Sequence, residues 1–180
     1  EWQSTARLSP EQRQRGLRLL RLAAALQFTL PGVPCVYYGD EAGMEGYKDP
    51  FNRRCYPWGG ENHELIEWYR RLGAMRVSCA CLREGSLEPF SVGNQVLSYF
   101  RHGSDGDSLF VAVNRDASPR MLYLPHEWRR ARVLFGTGAG EDGGVFLLPC
   151  GCTILHLVPA APKPEPERRQ PIPVRQQRLT

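Results

Sequence analysis

The chain has 180 residues, 42% of them hydrophobic and 10% aromatic, a globular composition with room for one ordinary domain or two small ones. Its formal charge is +4, but residues 159–180 hold five basic and two acidic side chains, so the rest is nearly neutral and lacks the basic footprint of a nucleic-acid binder. No apolar run is long enough to cross a bilayer, and no charged stretch with an apolar core follows Glu1 as a signal peptide would.

Residues 1–8 show no periodicity and read as a frayed start. A helix is predicted over 9–29: the Ser9 hydroxyl can cap, Pro10 suits the first turn, and Gln12 can reach back to the cap. Leu17, Leu20, Ala24 and Phe28 recur at helical spacing, while Arg15, Arg18 and Arg21 share another face. Pro31 and Gly32 stop the helix. The apolar run of Val33, Cys35, Val36 and Tyr37 then predicts a strand over 33–38. Helix, short turn and apolar strand make one αβ unit of a parallel sheet, whose other strands are expected N-terminal to Glu1.

Gly39 ends that run, and the acidic pair Asp40 and Glu41 opens a loop carrying Gly43, Gly46, Asp49, Pro50, Asn52, Arg53, Arg54, Tyr56 and Trp58. A second helix is predicted over 62–77, with Leu65, Trp68, Tyr69, Leu72 and Met75 on the inner stripe and a Glu67–Arg71 pair outside. Beyond Arg83 the period alternates. Strands are predicted at 87–92, 96–101, 108–113, 121–124, 132–135, 145–148 and 152–158, separated by glycine-rich turns, a pattern that indicates an antiparallel sandwich. Residues 159–180 include six prolines and no hydrophobic period, which predicts a disordered tail.

The six cysteines, at 35, 55, 79, 81, 150 and 152, form no Cys-x-x-Cys and have no paired histidines, so no zinc site is expected. Cys150 and Cys152 are expected on one side of a strand. His63, His102, His126 and His156 lie in different elements without ligand spacing and are assigned no metal role. Adjacent Asp40 and Glu41 leave a strand on opposite sides and do not make an acid/base pair; Glu41 is expected to accept hydrogen bonds that fix the loop. Tyr37 and Tyr38 are expected to split across the strand in the same way. Tyr56 and Trp58 fit two readings, stacking platforms for a ligand or packing beneath the loop.

The run Gly32, Pro34, Val36, Tyr37, Gly39 and Glu41 resembles the pattern on the eighth barrel strand of the α-amylase family of glycoside hydrolases. The continuation through Asp40 to Gly46, then Asp49-Pro50-Phe51-Asn52-Arg53-Arg54 and Tyr56-Pro57-Trp58, is similar to the neopullulanase, cyclomaltodextrinase and amylopullulanase branch. That resemblance implies an α/β plus β fold: the last strand–helix unit of a (β/α)8 TIM barrel in residues 1–82, incomplete here, then a C-terminal antiparallel β-sandwich in 83–158, then the tail. It implies a parent that hydrolyses α-glucosidic bonds with retention, takes an α-glucan oligosaccharide or polysaccharide as partner, needs neither nucleic acid nor membrane nor cofactor, and could be a homodimer.

The resemblance also implies that Asp49 and Arg53, four residues apart around Pro50, bind glucose units; a plain exposed ion pair is the alternative. One departure stands out. Members of the family use an Asp nucleophile, a Glu acid/base and a third Asp, on earlier barrel strands. Before Pro31 this chain has no Asp and no His, and its only carboxylates there are Glu1 and Glu11. No residue is therefore assigned a catalytic role, and this chain alone is expected to be inactive. A non-catalytic sugar-binding or scaffold sandwich is the alternative function. It calls for a surface row of aromatics, which Phe100, Tyr123 and Trp128 do not form along the sequence.

Overall fold

A computed structural model describes residues 2–93 and 95–158. The expected tail lies outside the described residues. The start is more ordered than its composition suggests: Trp2–Thr5 forms a helical turn, α1, and the Trp2 ring meets Tyr47 edge-on at 5.8 Å.

Helix α2, Pro10–Thr29, begins where the sequence placed it. The Gln12 amide N–H donates to Ser9 Oγ (3.2 Å) and the Ser9 N–H donates to Gln12 Oε1 (3.0 Å), a reciprocal cap that satisfies two of the groups a helix start leaves open. Leu22, Ala24, Ala25 and Phe28 are buried. At the other end the open carbonyls find guanidinium donors. Arg76 donates to Phe28 O at 2.8 Å and also to Gly32 O, while Arg101 donates to Thr29 O at 2.6 Å. Cations here also suit the negative end of the helix.

Helix α3, His63–Ser78, is capped by Asn62, whose Oδ1 accepts the Leu65 N–H at 3.0 Å. The predicted stripe is the buried face: Leu65, Tyr69, Leu72 and Met75 are enclosed. Trp68, half-buried, donates from Nε1 to Arg21 O and meets Phe135 edge-on at 4.8 Å. The outward ion pair differs from expectation. Glu67 pairs with Arg70 at 2.7 Å, whereas Arg71 donates to Leu134 O at 2.9 Å and lies 4.5 Å over the Phe135 ring. An exposed i,i+4 pair is worth a few tenths of a kcal/mol, about 0.3–0.5, so a carbonyl and an aromatic face within reach outbid it. A five-residue helix, α4 (Ala80–Glu84), follows, which the sequence reading did not anticipate.

All seven predicted strands are present within a residue or so: β1 Ser86–Val92, β2 Val96–His102, β3 Ser108–Asn114, β4 Arg120–Tyr123, β5 Arg132–Phe135, β6 Gly144–Leu147 and β7 Gly151–Leu157. Five form an antiparallel sheet in the order β1-β2-β3-β7-β5, and β4 pairs with β6 in a second, smaller sheet. Strand β3 is central and buried along its whole length. Its alternating side chains serve two cores. Leu109 and Val111, with Tyr99, Phe135 and Ile154, pack against α2, α3 and α4. Phe110 and Ala112, with Phe100 and Leu155, pack against Leu124, Trp128, Val145 and Leu147 beneath the small sheet. The layers are therefore helices, large sheet and small sheet. Cys150 departs from expectation: it sits in the turn before β7 at φ 47°, its N–H donating to Asp116 O, and does not share a strand face with Cys152.

The predicted strand over 33–38 forms no ladder, and among the described residues no strand lies beside it to pair with. Its side chains Val33, Val36, Tyr37 and Tyr38 are exposed. A strand is defined by its partners, and an apolar run without them stays irregular.

Asp107, at the start of β3, joins layers. Its Oδ1 meets His156 Nε2 on β7, and its Oδ2 accepts the Cys81 N–H at 3.4 Å near the start of α4, where Cys79 gives no side-chain cap. Burial pushes the Asp107 carboxyl up, but the hydrogen bonds from His156 and Cys81 outweigh it, and the net pKa is lowered. A depressed carboxylate contributes stability above its unfolded pKa, about 3.9, and that contribution is lost as pH falls through the folded value. The melting-temperature gap between wild type and Asp107→Asn is accordingly expected to be wide at pH 6 and to shrink steadily below about pH 4, as the wild-type carboxyl is itself neutralised. A gap that stays constant down to pH 2.5 or so would remove the carboxylate's charge from the account.

Candidate functional site

The loop between α2 and α3 is built by short-range turns. Met44 N–H and Ala42 N–H both donate to Gly39 O (3.0 and 3.1 Å), and Asn62 N–H returns to Ala42 O (3.0 Å), so the loop closes on its own start. Gly39 stands at φ +91°, and a Cβ there would lie 2.2 Å from Met44 Sδ, so both conformation and space require glycine. Glu41 does what the sequence suggested: its Oε2 accepts the Gly39 N–H at 2.9 Å. Asp40 is half-buried, and burial followed by the neighbouring Glu41 charge raises its pKa. Nearby Tyr69 is pushed up to about 12 by burial, with Asp40 and Glu41 adding to the shift, so its phenol stays neutral.

Asp49 and Arg53 are brought together. Residues 49–52 form a turn, Arg53 N–H donates to Pro50 O, and Arg53 Nε sits 2.6 Å from Asp49 Oδ1. Both side chains are more than half exposed, at 60% and 68%, so their outer edges face solvent. The loop is pinned from behind by contacts no local pattern announces. Arg13 of α2 pairs with Glu45 at 2.9 Å, and Glu45 also accepts the Leu8 N–H. Tyr38 Oη donates to Arg54 O at 2.9 Å, and Arg54 reaches over the Tyr47 ring. Two adjoining hollows of about 280 and 310 Å³ flank the Met44–Glu45 segment; neither is lined by Asp49 or Arg53.

The aromatics sort differently than expected. The Tyr37 and Tyr38 rings do not split to opposite sides but pack together at 5.0 Å, which the absent ladder permits. Tyr56 and Trp58 pack at 4.7 Å, and Trp58 is 85% exposed. Phe100 and Trp128 are buried against each other at 5.1 Å, while Tyr123 is exposed, so these three form no surface row. Among the described residues no group of three or more His, Cys, Asp or Glu side chains is arranged to hold a metal ion.

No family model matches the chain. It is 39% identical over 94 residues to an amylopullulanase of Thermoanaerobacter thermohydrosulfuricus, covering 52% of this chain and 6% of that protein. It is 34% identical over 109 residues to a cyclomaltodextrinase of a Bacillus species, covering 58% of this chain and 19% of that one. The chain thus spans less than a fifth of either relative. Among solved structures, a debranching enzyme of Nostoc punctiforme matches with a TM-score of 0.66 at 29% identity, covering 76% of this chain and 30% of that one. An α-amylase of Geobacillus thermoleovorans complexed with acarbose matches with a TM-score of 0.71 at 25% identity, covering 81% and 34%. In sequence and in fold, this chain is similar to a stretch of an α-amylase-family glycoside hydrolase of the neopullulanase, cyclomaltodextrinase and amylopullulanase branch.

Proposed function

We propose that the chain is part of an α-glucan hydrolase of that family, with residues 1–82 belonging to the end of a (β/α)8 barrel and residues 83–158 to the β-sandwich after it. The observation that carries the reading is the joint likeness to glucan-cleaving enzymes, by sequence over about half the chain and by fold over about three quarters. The unpaired segment over 33–38 supports it, since an apolar run between two helices with no ladder of its own is what a barrel strand looks like without its neighbours. In this reading Asp49 and Arg53 hold glucose units by charge-assisted hydrogen bonds, and the substrate is starch, pullulan, a cyclodextrin or a maltooligosaccharide.

The acetal chemistry is assigned to other residues of the parent. Retaining hydrolysis needs two carboxyls about 5 Å apart across the bond, one to protonate the leaving oxygen and one to attack. Glu41 is engaged with the Gly39 N–H, and Asp40 is half-buried nine residues before Asp49. The 180-residue chain is therefore expected to release no new reducing ends from starch, pullulan or cyclodextrin. Turnover that survives removal of contaminating amylase and vanishes in Asp40→Asn or Glu41→Gln would overturn this assignment. The barrel itself is tested by the coding sequence upstream of Glu1, which should encode seven strand–helix units ending in a His-Asp pair. The alternative, a non-catalytic sugar-binding sandwich, has one observation on its side: Met121 and Phe146, paired across the small sheet, and Tyr123 are exposed on its outer face.

A further inference from the structure

We propose that Trp58, braced by Tyr56, is a stacking platform for a pyranose ring of the glucan, extending the contact that Asp49 and Arg53 make; the inference rests on the α-glucan reading above. The sequence left Trp58 between two roles, packing under the loop or facing a ligand. The structure separates them. The indole is 85% exposed, so it contributes almost nothing to either core. Yet it is not on a loose end. The Trp58 backbone N–H donates to Tyr56 O at 2.9 Å, Gly60 N–H donates to Pro57 O at 2.8 Å, and Gly59 takes φ +79° to complete the turn. The Tyr56 ring, tilted 53° at 4.7 Å, supports one side of the indole, and the high exposure leaves the other side open.

The chemistry beside it narrows the ligand. A pyranose presents an apolar C–H face and a rim of hydroxyls. It is recognised by a flat aromatic together with groups that hydrogen-bond in pairs, and on this loop Asp49 and Arg53 stand nine and five residues before Trp58 in the sequence. A purely apolar partner would have no use for that charged pair, and an anion would be repelled by the Asp49 carboxylate. Tyr38 Oη, donating to Arg54 O, fixes the backbone between the pair and Trp58, so both are held before any ligand arrives. The indole itself has only two rotatable side-chain bonds to freeze.

The experiment is a titration of the whole 180-residue chain with maltoheptaose, followed by saturation-transfer NMR on the sugar and by the four indole N–H signals of the protein. Trp58 is assigned by the signal lost in Trp58→Phe. The expected result is that this signal moves with maltoheptaose and not with cellohexaose, that Trp58→Ala weakens binding about tenfold, and that Trp58→Phe restores part of the loss. If Asp49→Ala and Arg53→Ala weaken binding while Trp58→Ala matches wild type, the platform is wrong and the glucan reading stands. Should Trp58→Ala instead alter only melting temperature or association state, the indole is a protein contact and the proposal falls. Absence of any binding by wild type would overturn both.

Discussion

Arg101→Met is expected to cost about 3–5 kcal/mol of folding stability, because it leaves several buried carbonyls without a donor at about 1–3 kcal/mol each. Arg101 is 1% exposed, and among the described residues no carboxylate pairs with it. Its charge is held by carbonyls instead: Thr29 O at 2.6 Å, Cys81 O at 3.0 Å, Leu82 O at 3.2 Å, Gly85 O at 2.9 Å and Ser86 O at 3.1 Å. These belong to the ends of α2 and α4 and the start of β1, where a helix leaves acceptors open and its dipole is negative. One guanidinium therefore closes two helix ends onto the sheet. Burial lowers its pKa from the ordinary arginine value. Beside it, Thr29 Oγ1 and Tyr99 Oη share a buried hydrogen bond of 2.6 Å, and burial pushes the Tyr99 phenol up to about 12.

Removing the guanidinium leaves the buried carbonyls of Thr29, Cys81 and Leu82 facing an apolar methionine in place of their donor. Arg101→Lys should recover little, because one ammonium with three donors cannot span carbonyls arriving from three elements. Urea unfolding followed by circular dichroism reads both variants, and the midpoint should fall without a change in slope. A loss below about 1 kcal/mol in Arg101→Met would mean that the carbonyls find water or each other, and the closing role would be wrong.

Arg101 also marks where sequence reading stops. Its strand was legible, since Leu97, Tyr99 and their neighbours alternate and Gly103 closes the run. Its burial was not, because an arginine in an alternating strand ordinarily faces water, and the carbonyls that hold it lie 15 to 72 residues away. The same holds for Asp107 and His156, 49 residues apart. What the sequence made visible was local: the Ser9 cap, the stripe of the second helix, and seven strands set off by turn glycines. Those depend on backbone hydrogen bonding and side-chain period within a few residues. The run over 33–38 failed for the converse reason. Its residues suit a strand, but a ladder is a property of two strands, and the composition of one cannot supply the other.

Asp49→Ala and Arg53→Ala should each lower kcat/KM on maltooligosaccharides by about 10- to 100-fold in a full-length parent enzyme, the equivalent of one charge-assisted hydrogen bond of about 1.5–3 kcal/mol. Within the protein alone the pair is worth little. Both side chains are more than half exposed, and an ion pair in water contributes a few tenths of a kcal/mol, about 0.2–1. Stability therefore gives no reason for a Nε–Oδ1 contact of 2.6 Å on a turn whose backbone is already held by Arg53 N–H to Pro50 O. A sugar gives one. The carboxylate fixes the guanidinium through Nε, and with both side chains more than half exposed the remaining donors and the second carboxylate oxygen would offer neighbouring hydroxyls a donor and an acceptor already in place. The cost of freezing a long arginine side chain is met before binding, and the sugar gains accordingly. The loss should be concentrated on oligosaccharides that extend past the cut bond and be slight on a short aryl glycoside that never reaches the loop. Melting temperature should move by no more than a degree or two, as befits an exposed pair. Equal losses on long and short substrates, together with a clear fall in melting temperature, would identify the pair as a brace for the loop and leave the glucose units to be held elsewhere.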